Sequence, residues 1–387
     1  MNTNPKLIYI IVGEPSGDLL ASRLMLALRN KDPDIRFAGI GGETMTAMGF
    51  ESLFDISEIS VMGFIEVLTK LRLIMRRIRH VLADIRERRP DVILTVDSWG
   101  FAHQALARLK KEGNSVPKIH YVAPQVWAWK RGRAKTVARL VDRLMTLLPF
   151  EPPYFEKYGL HCTFVGHPVI ENTANLTNDP LAFKAKYGIP EKCTLMTVLP
   201  GSRHSEIKRL SPIFKQTLRQ IQKTYPDLYL VIPSVAAIVH KVEAAFADFE
   251  VPRCIIVGQY ERYAAFNASV FALAASGTVS LELAACKTPH VITYKFGFIA
   301  NRILMLFSGT KYANLINILA DKFVIPEFIL KNCRESLITP VVLDLMLHPE
   351  KAKAQVEEAQ QYLLKLKPVD AIPSEKAAET VLSVLKN

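Results

Sequence analysis

Along this chain a largely apolar run of about five residues repeatedly breaks at a glycine, proline or small polar residue and continues as a helix. Leu195 to Leu199 runs into Pro200-Gly201-Ser202-Arg203, and a helix opens near Ser205. Leu7 to Val12 runs into Gly13-Glu-Pro-Ser-Gly-Asp18 and a helix from Leu19 to Leu28, and Phe37 to Ile40 runs into Gly41-Gly42. Asp91 to Val96 ends at Asp97-Ser-Trp-Gly100, before a helix from Phe101 to Lys111. The same unit returns at Ile119 to Gln125, Leu144 to Pro153, Thr163 to Pro168, Leu228 to Pro233, Cys254 to Val257, Val270 to Thr278 and His290 to Tyr294. Strands apolar on both faces belong inside parallel sheets covered by helices. The expected fold is therefore α/β, built on parallel sheets.

A polar, Asn-rich segment from Glu171 to Pro180 reads as a linker, and Lys367-Pro368 through Pro373 breaks the charged helical region beyond Leu337. The expected domains are 1–168, 169–365 and a tail, 366–387, that packs back on the first half. Hydrophobic residues make up 49% of the 387 residues, enough for two buried cores. Five scattered cysteines without a C-x-x-C pair argue against a disulfide framework or a zinc site, and suit a reducing, cytoplasmic compartment. The run Leu7 to Val12 is too short for a signal peptide, and no apolar run is long enough to span a bilayer.

The net charge of +12 calls for an anionic partner: nucleic acid, lipid head groups or a phosphorylated ligand. Basic residues without an aromatic-lined recognition motif argue against nucleic acid. A helix following Val61 to Val67 places Leu71, Ile74, Ile78, Val81, Leu82 and Ile85 on one face and Arg72, Arg76, Arg79 and Arg86 on another. With Met62, Phe64 and Ile65 it reads either as a core helix with a solvated charged face or as a surface for anionic membrane lipids.

Function is expected at the carboxyl ends of the strands. Asp97, at a strand end, suits a general acid or base, with Glu14, Ser16 and Gln125 in loops at the same edge. Ser16 and either Ser202 or Ser205 are candidate helix caps. Gly201, Ser202 and Arg203 form an anion-binding turn at a helix start. Ser276, Gly277 and Thr278 form a second, capped turn, and Glu282, one turn into the next helix, could accept from ribose hydroxyls. Asn317 is either a satisfied core amide or a ligand contact. No metal is expected, because no D-x-D pair lies in a suitable loop and basic groups can neutralise a diphosphate.

Taken in order, these motifs resemble the lipid A disaccharide synthases. The resemblance rests on Gly-Glu-Pro-Ser-Gly-Asp18, Val61-Met-Gly-Phe-Ile-Glu-Val67, the strand ending at Asp97, Ala123-Pro-Gln-Val-Trp-Ala-Trp129 and Phe164-Val-Gly-His-Pro168. Leu199-Pro-Gly-Ser-Arg203, Ala275-Ser-Gly-Thr278, Asn317-Ile-Leu-Ala-Asp and Val324-Ile-Pro-Glu327 complete it. It implies a GT-B architecture, two Rossmann-like domains facing across a cleft. The implied reaction joins UDP-2,3-diacylglucosamine to 2,3-diacylglucosamine 1-phosphate (lipid X), giving the β(1→6) disaccharide 1-phosphate and UDP without a cofactor. It also implies an enzyme attached peripherally to the cytoplasmic face of the inner membrane, and it places Asn317 near the donor. Asp97-Ser-Trp-Gly where a proline follows the small residue in the family, and Gln125 where a serine is common, bear on the shape of the acceptor pocket. The sequence leaves the oligomeric state open, a homodimer included. A UDP-N-acetylglucosamine 2-epimerase on the same fold, and a non-catalytic lipid-binding protein, are the competing readings.

Overall fold

The computed structural model describes residues 5–60, 64–128, 132–174, 179–295 and 311–386. The chain divides into two compact units, Met1–Pro168 with Leu366–Asn387, and Val169–Lys365.

In the first unit six strands, β1 (Leu7–Val12), β2 (Arg36–Ile40), β3 (Val92–Val96), β4 (Lys118–Tyr121), β5 (Arg143–Thr146) and β6 (His161–Phe164), alternate with helices. The helices are α1 (Pro15–Lys31), α2 (Glu43–Thr46), α3 (Phe64–Arg88), α4 (Trp99–Lys111), α5 (Arg133–Leu140) and α6 (Pro153–Glu156). All pairings are parallel, in the order β2-β1-β3-β4-β5-β6. The chain leaves β1 in one direction to reach β2 and returns on the other side for β3, so the strand order reverses between β1 and β3. Alternation along β1 supplies both layers of core. Tyr9 and Ile11 pack with Ile78, Val81, Leu82 and Ile85 of α3, while Ile8, Ile10 and Val12 pack with Leu20 and Leu24 of α1. Each such buried aliphatic side chain contributes roughly 1.5–3 kcal/mol. Ala377, Ala378 and Val381 of the last helix, Pro373–Leu385, join the α1 layer.

Helix α3 departs from the expected pattern at its start. Ile78, Val81, Leu82 and Ile85 are buried, but Leu71 is 48% exposed. Arg72, Arg76, Arg79 and Arg86 are exposed as expected. The core covers α3 only from about Ile74 onward, so its first turns carry an apolar residue that the unit's own core does not bury. Arg77 instead turns onto Glu58 and lies 4.6 Å from the centre of the Phe54 ring. Met62 and the side chains of Phe64 and Ile65 lie outside the described residues. Among the described residues no helix is long and apolar enough to cross a membrane.

The second unit repeats the plan. Strands β7 (Thr194–Leu199), β8 (Leu228–Ser234), β9 (Arg253–Val257), β10 (Phe271–Ala275), β11 (His290–Tyr294) and β12 (Glu327–Ile329) form a parallel sheet in the order β12-β11-β10-β7-β8-β9. Its helices include α7 (Val169–Asn172), α8 (Pro180–Lys186), α9 (His204–Thr224), α10 (Val239–Phe246), α11 (Gln259–Ala268) and α12 (Val279–Ala285). The expected linker thus holds a helical turn, α7, and ends at Asp179, whose carboxylate caps α8 by accepting from the Ala182 N–H. Here the strand order reverses between β7 and β10. Ile207, Leu210, Phe214 and Leu218 of α9 pack on one face of the sheet, and Phe183 and Ala265 on the other.

Candidate active site

Apart from Gln125 and Asn317, each unit places its expected loop residues at the strand pair where its order reverses, the crevice in which doubly wound sheets bind ligands. In the first unit these are the loops after β1 and β3. Asp97 (φ 54°) and Ser98 (φ 39°) both adopt left-handed backbone, which costs roughly 1–3 kcal/mol per residue and collects at functional sites. Asp97 Oδ1 accepts the Ser98 N–H (2.9 Å), its Oδ2 accepts the Ser16 hydroxyl (2.9 Å), and its N–H donates to Tyr121 O (2.9 Å). The turn fits because Gly13 has no side chain: a Cβ there would lie 2.4 Å from Ser98 Oγ. Ser16 is therefore not a helix cap. Helix α1 begins at Pro15, four residues before the expected start, and the exposed Ser16 hydroxyl serves Asp97 instead. Glu14 occupies the cap position through its extended backbone alone. Asp18, in the same motif, is structural: its buried carboxylate accepts from the N–H groups of Gly42, Thr44 and Met45, fixing the loop after β2.

Trp99 is the first residue of α4, and its ring meets the buried His120 at 4.9 Å, edge to face. His120 Nδ1 is 2.7 Å from Thr95 Oγ1, and burial lowers the imidazole pKa to about 3, so His120 is neutral. Gln125 is exposed on the loop after β4.

In the second unit Gly201 (φ 124°) lies in the turn after β7, and a Cβ there would lie 2.4 Å from Glu206 Cβ. No serine caps α9. Arg203 is the cap residue, with extended backbone, and Glu206 organises the turn. The Glu206 carboxylate is buried; it accepts the Ser202 N–H (2.9 Å), the Tyr294 hydroxyl (3.1 Å) and Arg203 Nη1 (3.3 Å). The Ser202 amide expected to meet an anion is thus already committed. The N–H groups of His204 and Ser205, in the first helical turn, have no carbonyl behind them, and Arg203 is 60% exposed beside them.

On the neighbouring strand the Ser276 N–H donates to Thr293 O (2.8 Å), and the Thr278 hydroxyl makes no cap bond, so the second turn is not capped as expected. Gly277 and Thr278 are exposed. Glu282 Oε1 accepts from Arg262 Nη2 (2.9 Å) and the Tyr263 hydroxyl (3.2 Å). Burial pushes its carboxyl pKa up, against the pull of Arg262 and Tyr263. Among the described residues no bond is made to its Oε2. Asn317 resolves against a ligand role. It is fully buried, Nδ2 donates to Ile325 O and Glu327 Oε1 (both 2.7 Å), and Oδ1 accepts from the Val324 and Ile325 N–H groups (both 2.9 Å). Two donors and two acceptor sites are the whole capacity of an amide. Among the described residues no group of three or more His, Cys, Asp or Glu is placed to hold a metal ion.

Two doubly wound α/β units, one presenting a carboxylate and the other an arginine–glycine turn at a helix start, define the GT-B class of fold. Solved structures agree at the level of fold. UDP-GlcNAc 2-epimerase from Neisseria meningitidis bound to UDP-GlcNAc matches with a TM-score of 0.68 at 11% identity, over 98% of this chain and 100% of that one. A glycosyltransferase from Rickettsia africae matches with a TM-score of 0.58 at 12% identity, over 100% of both chains. The sequence is more specific. Residues 8–381 match the family model described as lipid-A-disaccharide synthetase. The lipid-A-disaccharide synthase of Paramagnetospirillum magneticum is 45% identical over 98% of both chains. That of Rhodospirillum centenum is 41% identical over 98% of this chain and 95% of its own. The chain belongs to the lipid-A-disaccharide synthase family, and is a glycosyltransferase enzyme of lipid A disaccharide synthesis. The epimerases share its fold at identities too low to carry function.

Proposed function

We propose that this enzyme transfers 2,3-diacylglucosamine from its UDP derivative to the 6-hydroxyl of 2,3-diacylglucosamine 1-phosphate, with inversion, releasing UDP. The observation that carries the reading is Asp97: a partly exposed carboxylate on a strained turn, at the reversal point of the first sheet, in a chain of this family. Asp97 Oδ2 takes the proton of the acceptor hydroxyl. The acceptor oxygen attacks the anomeric carbon, the bond from that carbon to the diphosphate oxygen breaks, and its electron pair leaves with UDP. An α-linked donor gives a β-linked product in one displacement. Ser16 donates to Asp97 and orients the carboxylate. Arg203, together with the N–H groups of His204 and Ser205, stabilises charge on the departing diphosphate. Gly201 and Ser202 shape that turn, Ser276, Gly277 and Thr278 border it, and Glu282 offers Oε2 to the ribose.

The exposed Arg72, Arg76 and Arg79 on α3, with the apolar run that precedes them, would hold the enzyme peripherally on anionic lipid at the cytoplasmic face of the inner membrane. The domain assignment proposed is 1–168 with the tail as acceptor domain and 169–365 as donor domain. The experiment is product analysis. Purified enzyme given both substrates should yield a disaccharide whose new linkage is β by the anomeric proton coupling; an α linkage would refute the single-displacement mechanism.

A further inference from the structure

Glu151 has no part in the reaction described above, yet its environment is specific. It lies in the loop between β5 and α6 and is 3% exposed. Its Oε2 accepts the N–H groups of Leu147 (3.2 Å) and Leu148 (3.0 Å), and its Oε1 accepts the indole N–H of Trp127 (3.2 Å). Trp127 is itself buried and meets the Phe150 ring edge-on at 5.4 Å. Burial raises the carboxyl pKa to about 7 against the three bonds, and no cation is among the influences on it. Such a group is a poor way to gain stability: an apolar residue of similar size would avoid the desolvation cost. What it supplies is geometry.

The segment it holds is the loop after β4. That loop opens at Val122 with φ 81°, a conformation unfavourable for a β-branched residue. It then folds tightly, with the Val126 N–H donating to Pro124 O at 2.6 Å and the Ala128 N–H to Gln125 O at 3.2 Å. Gln125 is its exposed crest, between the strained start and Trp127. Strands β3 and β4 are neighbours, and the Asp97 N–H donates to Tyr121 O, so the loop starts beside Asp97. A loop bent this way relaxes unless something holds its far end.

We infer that Glu151 is a positioning residue for the acceptor: through the Trp127 indole it clamps the strained Val122–Ala128 loop and so fixes where Gln125 meets the acceptor sugar. This rests on the acceptor reading proposed above. The clamp predicts a split between the two substrates. Trp127→Phe keeps a ring against Phe150 and removes only the N–H; it should raise the acceptor KM about tenfold and change the donor KM less than twofold. Glu151→Gln should raise the acceptor KM at least as much, because one amide oxygen cannot serve donors on both sides. The double variant should be no worse than Glu151→Gln alone, since both remove one contact. Equal rises in both KM values, or an unchanged acceptor KM with only a lower melting temperature, would overturn the assignment.

Hydrogen exchange on the same full-length variants tests the clamp without any substrate. Exchange at the Val126 and Ala128 amides should accelerate at least tenfold in both, while that of β3 and β4 stays as in the parent. Unchanged exchange would overturn the clamp. Accelerated exchange in an enzyme that does not use 2,3-diacylglucosamine 1-phosphate would leave the clamp standing and overturn its acceptor role, and with it the acceptor reading.

Discussion

Replacing Glu206 with alanine tests whether the donor turn is built as described. The substitution leaves the Ser202 N–H and the Tyr294 hydroxyl without their acceptor, while the Cβ that faces Gly201 is kept. Bonds to a charged acceptor are each worth about 1.5–3 kcal/mol. The turn sits at an exposed rim where water can replace part of this, so the lower value applies and the two together give about 3 kcal/mol. The contact with Arg203, itself largely exposed, adds under about 1 kcal/mol after solvent screening. For a unit of this size a loss of about 3 kcal/mol lowers the melting temperature by roughly 6–12 °C. If the same bonds hold the turn in the shape that receives a diphosphate, part of that energy reappears in donor binding. An upper bound of about 3 kcal/mol is about 150-fold in affinity, and about tenfold is expected because Gly201 and the helix start remain. Tyr294→Phe removes the hydroxyl that donates to Glu206 and should cost about threefold. Thermal melting with and without UDP, calorimetric UDP affinity and the donor KM are the measurements. A lower melting temperature with unchanged UDP affinity would refute the link between this carboxylate and the site.

Gly201→Ala should be more severe than an ordinary glycine substitution. A Cβ at φ 124° meets Glu206 at 2.4 Å, and donor turnover should fall more than tenfold; an alanine variant with normal donor KM would contradict the need for glycine. Asn317→Ala should cost about 3–5 kcal/mol, because it strands buried backbone groups. The UDP affinity of the folded fraction should be unchanged; a selective loss of that affinity would restore Asn317 as a ligand contact. Three buried histidines set the acid limit. Burial lowers the folded pKa of His120 to about 3 and those of His167 and His290 to about 4, below the unfolded value of 6.5. Their contribution is complete above pH 6.5 and is lost as pH falls toward 4, at about 1.4 kcal/mol per pH unit for each histidine. A melting temperature flat between pH 7 and 4.5 would contradict this.

The strands and their carboxyl-end loops were legible because a parallel strand is apolar on both faces and its ending shows as a glycine, proline or carboxylate. Asp97, Gly201 and Arg203 stand at such endings. Helix starts were less legible: Ser16 and Ser202 have cap chemistry, but Ser16 is bound to Asp97, and Glu206 does the work assigned to a serine. Nothing local marks Glu206 as the partner of Tyr294, or Glu151 as the partner of Trp127. Those pairings arise from strand order, which brings β11 near β7 and β5 beside β4. Burial at Asn317 was undecidable from a segment of mixed apolar and amide residues, and only its four bonds settle it. Leu71 followed the helical period but lies beyond the core that the period assumes.

The most direct test of the central claim is UDP release from UDP-2,3-diacylglucosamine, with and without 2,3-diacylglucosamine 1-phosphate, by the parent enzyme and Asp97→Asn. The account predicts release that requires the acceptor, persists in chelator and falls at least a thousandfold in the variant while UDP affinity is retained. Full activity in Asp97→Asn, or UDP release that ignores the acceptor, would contradict it.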